Sequence, residues 1–580
     1  MTRFCFRVAC AVLFLACGTS SLHAADEPAD LIVHNAKVHT VDAKMSIAEA
    51  VAVRGEKIVA VGDNATILKL RGPKTEVVDA AGKTVLPGLI DSHVHPTGAA
   101  MHEFENTIPD MNSIQDVLDY IAARVKEREP GEWITMSQVF ITRLKERRYP
   151  TKAELDSVAP NNPVAFSTGP DSSVNSMALK VSGIDKNFKS EKSGAKVERD
   201  ADGEPTGILR SGGSFLKITP NKKKKSATPE QSQARLIELF TDYNRRGLTG
   251  IIDRNSSSGA TAQYQKLLAE DKLTIRVGVS RGVGSGGSVE KAVEGIKNVA
   301  NEPLFKGTPM LKIVGIKTFL DGGMLTGSAY MREPWGVSKI YSITDPEYRG
   351  LLYIPSEKLV PMVRAAVESG LQFTAHSVGD GAVHALLDAY EEVNKTNPIQ
   401  KTRPCIVHSN FMSKEAVERA AKLGVVVDIQ PAWLYLDGET LKLQFGEART
   451  RYFQPLKSLF AAGVVVGGGS DHMQKIGSMR SVNPYDPFLG MEIAMTRIPR
   501  GMTAPLHPEE TPDRADVLKM YTIHNAKLMF LEDQTGSLEP GKLADLIVVD
   551  RDPLTCPVET VRDTQVLRTY VGGKLVHQAK

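Results

Sequence analysis

Two histidines separated by one residue end an apolar run and are followed by a proline. The segment reads Leu86-Pro-Gly-Leu-Ile-Asp-Ser-His-Val-His-Pro96, so His93 and His95 stand at its end. Alternate side chains of a β-strand project from the same face, which would place both imidazoles together. Two neutral imidazole nitrogens make half of a divalent-metal site, although a surface pair beside a turn would have the same spacing.

Further polar residues lie at the ends of later apolar runs that are typical of buried strands. They are Lys317, His376, His408 and Asp471. The candidate strands cover residues 86–95, 247–253, 274–280, 311–319, 370–376, 404–408, 424–430 and 463–470. Eight such strands fit a closed (β/α)8 TIM barrel, an α/β fold whose active sites lie at the carboxyl ends of the strands. The sequence therefore predicts that all six polar residues converge at one mouth.

The residue types indicate a common chemistry. Four imidazoles and one carboxylate suit Zn²⁺, with Fe²⁺ or Mn²⁺ as alternatives, and the absence of cysteine ligands argues against a closed structural zinc site. A metal with an open position lowers the pKa of water to about 7. Asp471 could take that water's proton and return it to a leaving nitrogen. Lys317 could serve as a ligand only as a carbamate bridging two metals, and an ordinary salt-bridged lysine would fit the same position.

Helices and a large insertion are expected to position these residues. Strands alternate with helical patterns, as in βα units around a parallel sheet. Thr228-Pro-Glu-Gln231 is a capping box that opens a helix towards Arg245. The gap after the first strand is too long for one loop, so a subdomain at about residues 100–246 is expected within a barrel domain spanning 86–530.

The two chain ends carry short alternating segments separated by turn residues. Residues 30–79 and 544–576 hold them, with neither set large enough for a core of its own. The sequence predicts one small β-sandwich formed from both termini, residues 25–85 and 531–580.

Residues 1–24 have the features of a signal peptide. Arg3 and Arg7 precede an apolar stretch, and a small-residue cleavage site ends at Ala24. Export to a bacterial periplasm is expected, with a lipoprotein anchored at Cys17 as the alternative. Cleavage would leave Cys405 and Cys556, too few for a disulfide framework. No later stretch is expected to be a transmembrane helix.

Composition limits the classes of partner. Apolar residues make up 42% and charged residues 24% of 580 residues, and the formal net charge is only +3. These values are ordinary for a well-cored protein and favour a small-molecule substrate over a nucleic acid. The dense basic run Lys222–Lys225 reads as a solvated loop. Association into a homo-oligomer stays open.

Several motifs together resemble the metal-dependent amidohydrolase superfamily. They occupy residues 87–95, 375–380, 407–408, 469–471 and 536–548. Residues 315–322 and the long insertion are most similar to the amidohydrolase 3 branch, which contains N-substituted formamide deformylase. The resemblance implies one or two divalent metals per chain, held by His93, His95, His376, His408 and Asp471. It also implies that Asp471 is the catalytic proton shuttle and that Lys317 is carbamylated.

The sequence departs from that branch in presumed pocket loops. Pro170 and Asp171 stand where relatives usually carry a histidine, and Arg210 stands near a common glutamate. His472 follows Asp471, where a small residue is common. Arg210 and His472 could recognise an anionic group on the substrate, although solvated loop positions would fit equally well.

These observations favour a hydrolase that uses metal-activated water to cleave an amide-type, non-peptide carbon–nitrogen bond. The same site could instead open a cyclic imide or lactam, hydrolyse an ester or deaminate a ring, because barrels host many chemistries. A non-catalytic binding protein should have lost ligands, and none of the six is missing.

Overall fold

The computed structural model describes residues 27–137, 139–189, 195–221, 226–284 and 286–580. The expected leader, with Cys17, and the basic run Lys222–Lys225 lie outside the described residues. Within the described ranges, no helix combines the length and apolar character needed to cross a bilayer.

The N-terminal region is built from short strands. They are β1 (Ala29–His34), β2 (Lys37–His39), β3 (Ile47–Ala48), β4 (Ala50–Arg54), β5 (Lys57–Gly62), β6 (Arg71–Asp79) and β7 (Thr84–Pro87), with helix α1 (Asn64–Ile67) between β5 and β6. One sheet has the order β5-β4-β1-β6. Strands β2, β3 and β7 instead join a second sheet that also takes strands from the chain's other end.

The first barrel strand, β8 (Leu89–Val94), leads into helix α2 (Pro96–Met101) and then into the insertion. The insertion comprises α3 (Ile114–Val125), β9 (Ile134–Met136), α4 (Lys152–Val158), β10 (Val164–Thr168), β11 (Asp171–Val174), α5 (Ser176–Ser182), β12 (Lys196–Arg199) and β13 (Pro205–Arg210). Its strands form a sheet of their own, in the order β12-β13-β11-β10-β9.

The remaining barrel strands alternate with helices. In order they are α6 (Pro229–Arg245), β14 (Leu248–Ser256), α7 (Ser258–Ala269), β15 (Arg276–Gly282), α8 (Val289–Ala300), β16 (Leu311–Phe319), α9 (Ser356–Glu368), β17 (Gln372–Ser377), α10 (Asp380–Asn394), β18 (Cys405–His408), α11 (Lys414–Leu423), β19 (Val426–Ile429), α12 (Pro431–Arg449), α13 (Leu456–Ala461) and β20 (Val466–Gly468). The predicted capping box is confirmed: the Thr228 side chain accepts from the N–H of Gln231 and caps α6.

The eight-stranded sheet runs β20-β19-β18-β17-β16-β15-β14-β8, and every pair in it is parallel. Its two edges meet where Val94 forms a parallel bridge with His472, just beyond β20. Parallel strands alternating with helices and closing on themselves make the predicted (β/α)8 barrel, which is confirmed.

The chain ends with helices α14 (Pro487–Thr496), α15 (Arg514–Met520) and α16 (Ile523–Leu528) and strands β21 (Leu546–Val549), β22 (Val566–Val571) and β23 (Lys574–Gln578). The second terminal sheet has the order β23-β22-β21-β7-β2-β3, so strands from both ends pair directly. Apolar side chains of both sheets, among them Leu31, Val53, Val85 and Leu546, form one buried cluster. The two sheets therefore make a sandwich whose core needs both termini.

The apolar run at residues 86–95 is not one strand. It divides at Gly88 into β7, which belongs to the terminal sandwich, and β8, which opens the barrel. A Cβ at Gly88 would lie 2.2 Å from the Thr249 hydroxyl oxygen, so only glycine allows the chain to pass β14 there. The expected boundary between residues 85 and 86 thus falls inside β7.

Candidate active site

All six predicted site residues line one cavity of about 490 Å³. His93 lies in β8 and His95 directly follows it; Lys317, His376 and His408 lie towards the carboxyl ends of β16, β17 and β18. Asp471 comes shortly after β20. Each position is at the end of its strand that faces the barrel mouth, which is why residues distant in sequence meet.

His93, His95 and Asp471 form the tightest part of the cluster. One potential ligand atom from each lies within 4.8 Å of the others. The Asp471 Oδ1 atom is 3.2 Å from His95 Nε2 and 3.5 Å from His93 Nε2. Two imidazole nitrogens converging on a carboxylate oxygen form a donor set that fits a divalent cation such as Zn²⁺.

His408 and His376 complete a continuous row of rings. The His408 ring centroid is 4.9 Å from that of His93 and 4.5 Å from that of His376. His408 Nδ1 lies 2.8 Å from the Gln430 amide oxygen, and His376 Nε2 lies 3.1 Å from the Gly322 carbonyl oxygen. Each ring donates its N–H to these acceptors, which leaves His408 Nε2 and His376 Nδ1 unprotonated and able to bind metal.

Three of the four imidazoles resist protonation. Burial, reinforced by the charge of Lys317, lowers the pKa of His93 well below its usual value and that of His376 to about 3. Burial and then the neighbouring His376 lower the pKa of His408 well below its usual value. These rings are neutral at neutral pH, which is the protonation state that coordinates a cation.

Lys317 is almost fully buried among these groups, with 1% of its surface exposed. Burial and, second, the charge of Arg254 lower the pKa of its amine to about 7. An appreciable fraction of the amine is therefore neutral near pH 7, and a neutral amine is the form that can react with CO₂.

The sequence interpretation missed a buried polar group behind His93. Asp428 lies with its Oδ2 atom 3.4 Å from His93 Nδ1 and 3.3 Å from an Arg254 guanidinium nitrogen, within ion-pair range but not aligned for a hydrogen bond. Its Oδ1 atom accepts from the Ser92 hydroxyl at 2.6 Å and from the Gln430 amide at 3.0 Å. Such partners orient metal-binding imidazoles. An aspartate within the apolar run at residues 424–430 was the available signal.

Three residues at the same mouth have a left-handed backbone conformation. His408, Ser409 and Asp471 have φ values of 76°, 40° and 54°, in the left-handed region that side chains other than glycine seldom adopt. Each such residue costs about 1–3 kcal/mol and persists only where its surroundings hold it. The Asp471 N–H donates to the His93 carbonyl at 2.8 Å, and its carbonyl accepts from the Asn483 amide at 2.9 Å.

The cavity walls are mostly apolar. The apolar and aromatic side chains that line it are Phe140, Pro170, Phe319, Met324, Leu325, Val378, Trp433 and Met473. The Trp433 ring stacks on that of His408 at 4.8 Å. Substrate atoms beyond the polar floor therefore meet hydrocarbon surface.

The expectation that Arg210 and His472 could bind an anionic group is wrong. Both side chains are fully buried, and neither lines the cavity. Arg210 is paired with Asp171 at 3.4 Å and with Glu198 at 3.1 Å. His472 Nδ1 lies 2.6 Å from the Tyr243 hydroxyl. The sequence placed these residues near the pocket but could not show that they point into the protein.

The chain is similar to known proteins over nearly its whole length. Residues 76–577 match a model described as the amidohydrolase family. The N-substituted formamide deformylase of Arthrobacter pascens is 30% identical over 560 residues, covering 95% of this chain and 98% of that protein. Protein LONG AFTER FAR-RED 3 of Arabidopsis thaliana is 28% identical over 563 residues, covering 95% and 92%.

Solved structures show the same fold. An uncharacterized metal-dependent hydrolase from Pyrococcus horikoshii superposes with a TM-score of 0.64 at 22% identity, covering 91% of this chain and 99% of that one. Since the family match and the formamide deformylase alignment both span most of the chain, the resemblance seen in its motifs is confirmed. The chain belongs to the amidohydrolase family.

Proposed function

We propose that this protein hydrolyses an amide-type carbon–nitrogen bond, other than a peptide bond, in a small and largely uncharged molecule. The observation that carries the proposal is the cluster of His93, His95 and Asp471, whose ligand atoms lie within 4.8 Å at the floor of a 490 Å³ cavity. A floor that can hold a cation below apolar walls suits a substrate with one polar reacting group and a hydrocarbon remainder.

The polar residues of the cavity have two different roles, metal binding and proton transfer. His93 and His95, with His376 and His408 beside them, would hold a divalent ion. Such an ion supplies Lewis-acid chemistry, because it polarises a carbonyl group and lowers the pKa of water. Asp471 carries a carboxylate at the same point, where it can take a proton from the attacking water and give it to the departing nitrogen.

The walls support the choice of substrate class. Phe140, Leu325 and Trp433 would cover the substrate's apolar part and exclude bulk water from the reacting bond. One relative that matches over nearly the whole chain is named for removing a formyl group from N-substituted formamides. An amide whose nitrogen or acyl side carries a hydrocarbon group is consistent with both observations.

Lys317 is proposed as a carbamylated bridge between two ions. It is buried in the same cavity as the four histidines, and its strand β16 lies next to β17, which carries His376. A carbamate would turn a cation that repels metal into a two-oxygen anionic ligand.

The test is a panel of N-formyl, N-acyl and cyclic amides offered to protein loaded with zinc, iron or manganese. We expect turnover of uncharged amides with an apolar substituent, and two metals per chain, falling to one in Lys317→Ala. His93→Asn should lose metal and activity together, because a floor ligand is removed. His577→Asn, on the terminal strand β23, is the matched histidine control and should lose neither.

Three results would count against the proposal. Absence of turnover on every amide by metal-loaded protein would contradict the hydrolytic function. Full activity of His93→Asn would remove the metal floor from the mechanism. An unchanged metal count in Lys317→Ala would refute the carbamate bridge while leaving the other ligands in place.

A further inference from the structure

One phenol lies in the cavity wall. Tyr353 lines the same cavity as the predicted metal ligands. Its N–H donates to the Leu320 carbonyl at 2.8 Å, and the preceding Leu352 forms a bridge with Asp321. These contacts place Tyr353 directly beside the carboxyl end of β16, the strand that carries Lys317.

Besides the predicted ligands, four polar side chains line the cavity: Asn255, Asp321, Thr326 and Tyr353. The Asp321 carboxylate accepts from three backbone N–H groups at 2.9–3.0 Å. The Thr326 hydroxyl lies 3.0 Å from that of Ser328. Asn255 is exposed. Tyr353 is thus the partly buried hydroxyl with hydrogen-bonding capacity left for a ligand.

The Tyr353 phenol is held by a residue of the insertion. Its hydroxyl is hydrogen-bonded to that of Ser211, which lies one residue beyond β13. Ser211 has a φ of 47°, a left-handed conformation that costs about 1–3 kcal/mol for a residue other than glycine. Strain of this kind persists where the surroundings enforce it, and it is concentrated at functional sites.

The neighbours of Ser211 hold it in this left-handed conformation. Its N–H donates to the Asp171 carboxylate at 2.9 Å. Asp171 is fully buried and paired with Arg210, whose guanidinium also donates to the Thr326 carbonyl at 2.7 Å. Buried charges therefore fasten the insertion to the segment that carries Thr326, and Ser211 is the insertion residue that contacts the Tyr353 hydroxyl.

We infer that the Tyr353 phenol is a substrate-binding residue that donates its hydrogen to the carbonyl oxygen of the bound amide, and that Ser211 is the residue that positions it. The inference rests on the proposed function and extends it by naming the group that orients the substrate. A hydrogen bond between two hydroxyls uses the hydrogen of only one of them. When Ser211 donates to the phenol oxygen, the hydrogen of the phenol is free to bind a ligand.

Burial raises the pKa of Tyr353 above its ordinary value, so the phenol stays protonated across the neutral range. A hydrogen-bond donor aimed at a carbonyl in a site shielded from water contributes more than it would in solution.

The experiment is a double-mutant cycle on whichever amide the panel shows to be turned over. Tyr353→Phe should lower kcat/KM by about ten- to a hundredfold, since one donor to the reacting group is lost. Ser211→Ala should lower it less, and the double variant should be no worse than Tyr353→Phe alone, because both remove one linked interaction. Metal content and thermal stability should stay at wild-type values.

Tyr348→Phe is the matched control. Its hydroxyl is buried and has no hydrogen-bond partner among the described residues, and the ring does not line the cavity. Its kcat/KM should equal that of the wild type. Equal kcat/KM for Tyr353→Phe and wild type, or losses in Ser211→Ala and Tyr353→Phe that simply multiply, would overturn the inference.

Binding is measured apart from turnover, by calorimetric titration of metal-loaded protein with N-benzylacetamide. Weaker binding by Tyr353→Phe than by wild type supports the inference even if no amide is hydrolysed, in which case the hydrolytic function alone fails. Equal binding by the two proteins overturns the role of Tyr353. A wild-type protein that binds no amide would overturn both.

Discussion

The two ends of the barrel bury charge in opposite ways. At the base, Arg276 opens β15 and makes two hydrogen bonds to Asp545, at 2.6 and 2.8 Å. Asp545 accepts two more, from the Thr535 hydroxyl at 2.7 Å and the Gly572 N–H at 2.8 Å. Burial alone would raise the pKa of Asp545, but the charge of Arg276 and these hydrogen bonds outweigh it, so the pKa is lowered.

At the mouth, the corresponding pair is incomplete. Asp428 and Arg254 are both fully buried and 3.3 Å apart, yet burial dominates and raises the pKa of Asp428 to about 6. Asp428 Oδ2, Arg254 Nη2 and His93 Nδ1 all lack a well-aligned hydrogen bond within the described part of the chain. The pair at the base is fully hydrogen-bonded, whereas the pair behind His93 leaves polar atoms of all three residues without an aligned partner in the described ranges, which is typical of functional rather than purely stabilising sites.

Of the substitutions at the mouth, Asp471→Asn should cause the largest loss of turnover. Amide replaces carboxylate at nearly the same size, so the side chain still fits but can no longer accept a proton. We expect kcat to fall by about a thousandfold, within the range for loss of a general acid–base group. Steady-state kinetics on a panel substrate, together with metal analysis, checks this.

Asp545→Asn at the base is the matched substitution, and its turnover per folded molecule should be unchanged. Thermal unfolding of both variants separates lost chemistry from lost structure. Near-normal turnover by Asp471→Asn would remove its role as proton shuttle.

Of the substitutions at the base, Arg276→Met should cause the largest loss of stability. It leaves a buried carboxylate without its cation, and breaking one half of a buried pair costs about 3–5 kcal/mol. We expect the free energy of unfolding in urea to fall by that amount, while metal content and turnover of the folded protein stay unchanged. Arg245→Met, in a pair whose arginine is 59% exposed, is the control and should cost less than about 1 kcal/mol.

The same variant has a pH signature. In the wild type, the lowered pKa of Asp545 contributes stability that is complete above about pH 4 and is lost as pH falls through the folded pKa. Without Arg276, burial raises the pKa of Asp545. Acidification from pH 7 towards pH 4 then protonates the unpaired buried carboxylate and so stabilises the variant. The stability difference between the proteins should therefore shrink on acidification. A difference that is constant from pH 7 to pH 4 would contradict the assigned pKa shift.

The comparison also shows what the sequence could predict. His93, His95, His376, His408, Lys317 and Asp471 were found because a parallel barrel brings strand ends to one place whatever lies between them. The barrel itself followed from apolar runs alternating with helices. These features depend on local pattern and on the topology that such patterns allow.

The sequence could not predict which way a side chain points or which residue, distant in the chain, it contacts. Ser211 and Tyr353 are 142 residues apart, and no local pattern joins them. Arg210 was expected either to bind an anionic group or to be solvated, but it is buried and its charge is matched from inside by Asp171. The switch of sheets at Gly88 lies within one unbroken apolar run, and the close approach of Thr249 that requires glycine there comes from the distant strand β14.

Ser409→Gly tests the strain at the mouth and should have the smallest effect. With a φ of 40°, Ser409 carries a Cβ in a conformation that glycine adopts freely. Its hydroxyl is buried without a hydrogen-bond partner in the described ranges, so removing it also relieves an unpaired group. Against this, glycine adds entropy to the unfolded chain. We expect a net gain of up to about 1 kcal/mol in the free energy of unfolding.

Ser377→Gly is the matched control, because Ser377 ends the neighbouring strand β17 in an extended conformation and accepts the Ser409 N–H through its carbonyl at 3.0 Å. Glycine in a strand should destabilise the protein by roughly 0.5–1 kcal/mol. Opposite signs for two serine-to-glycine changes in hydrogen-bonded neighbours would locate the strain in the backbone that carries His408. Losses of equal size in both would mean that Ser409 is held without strain, and that the mouth differs from the base in its charges alone.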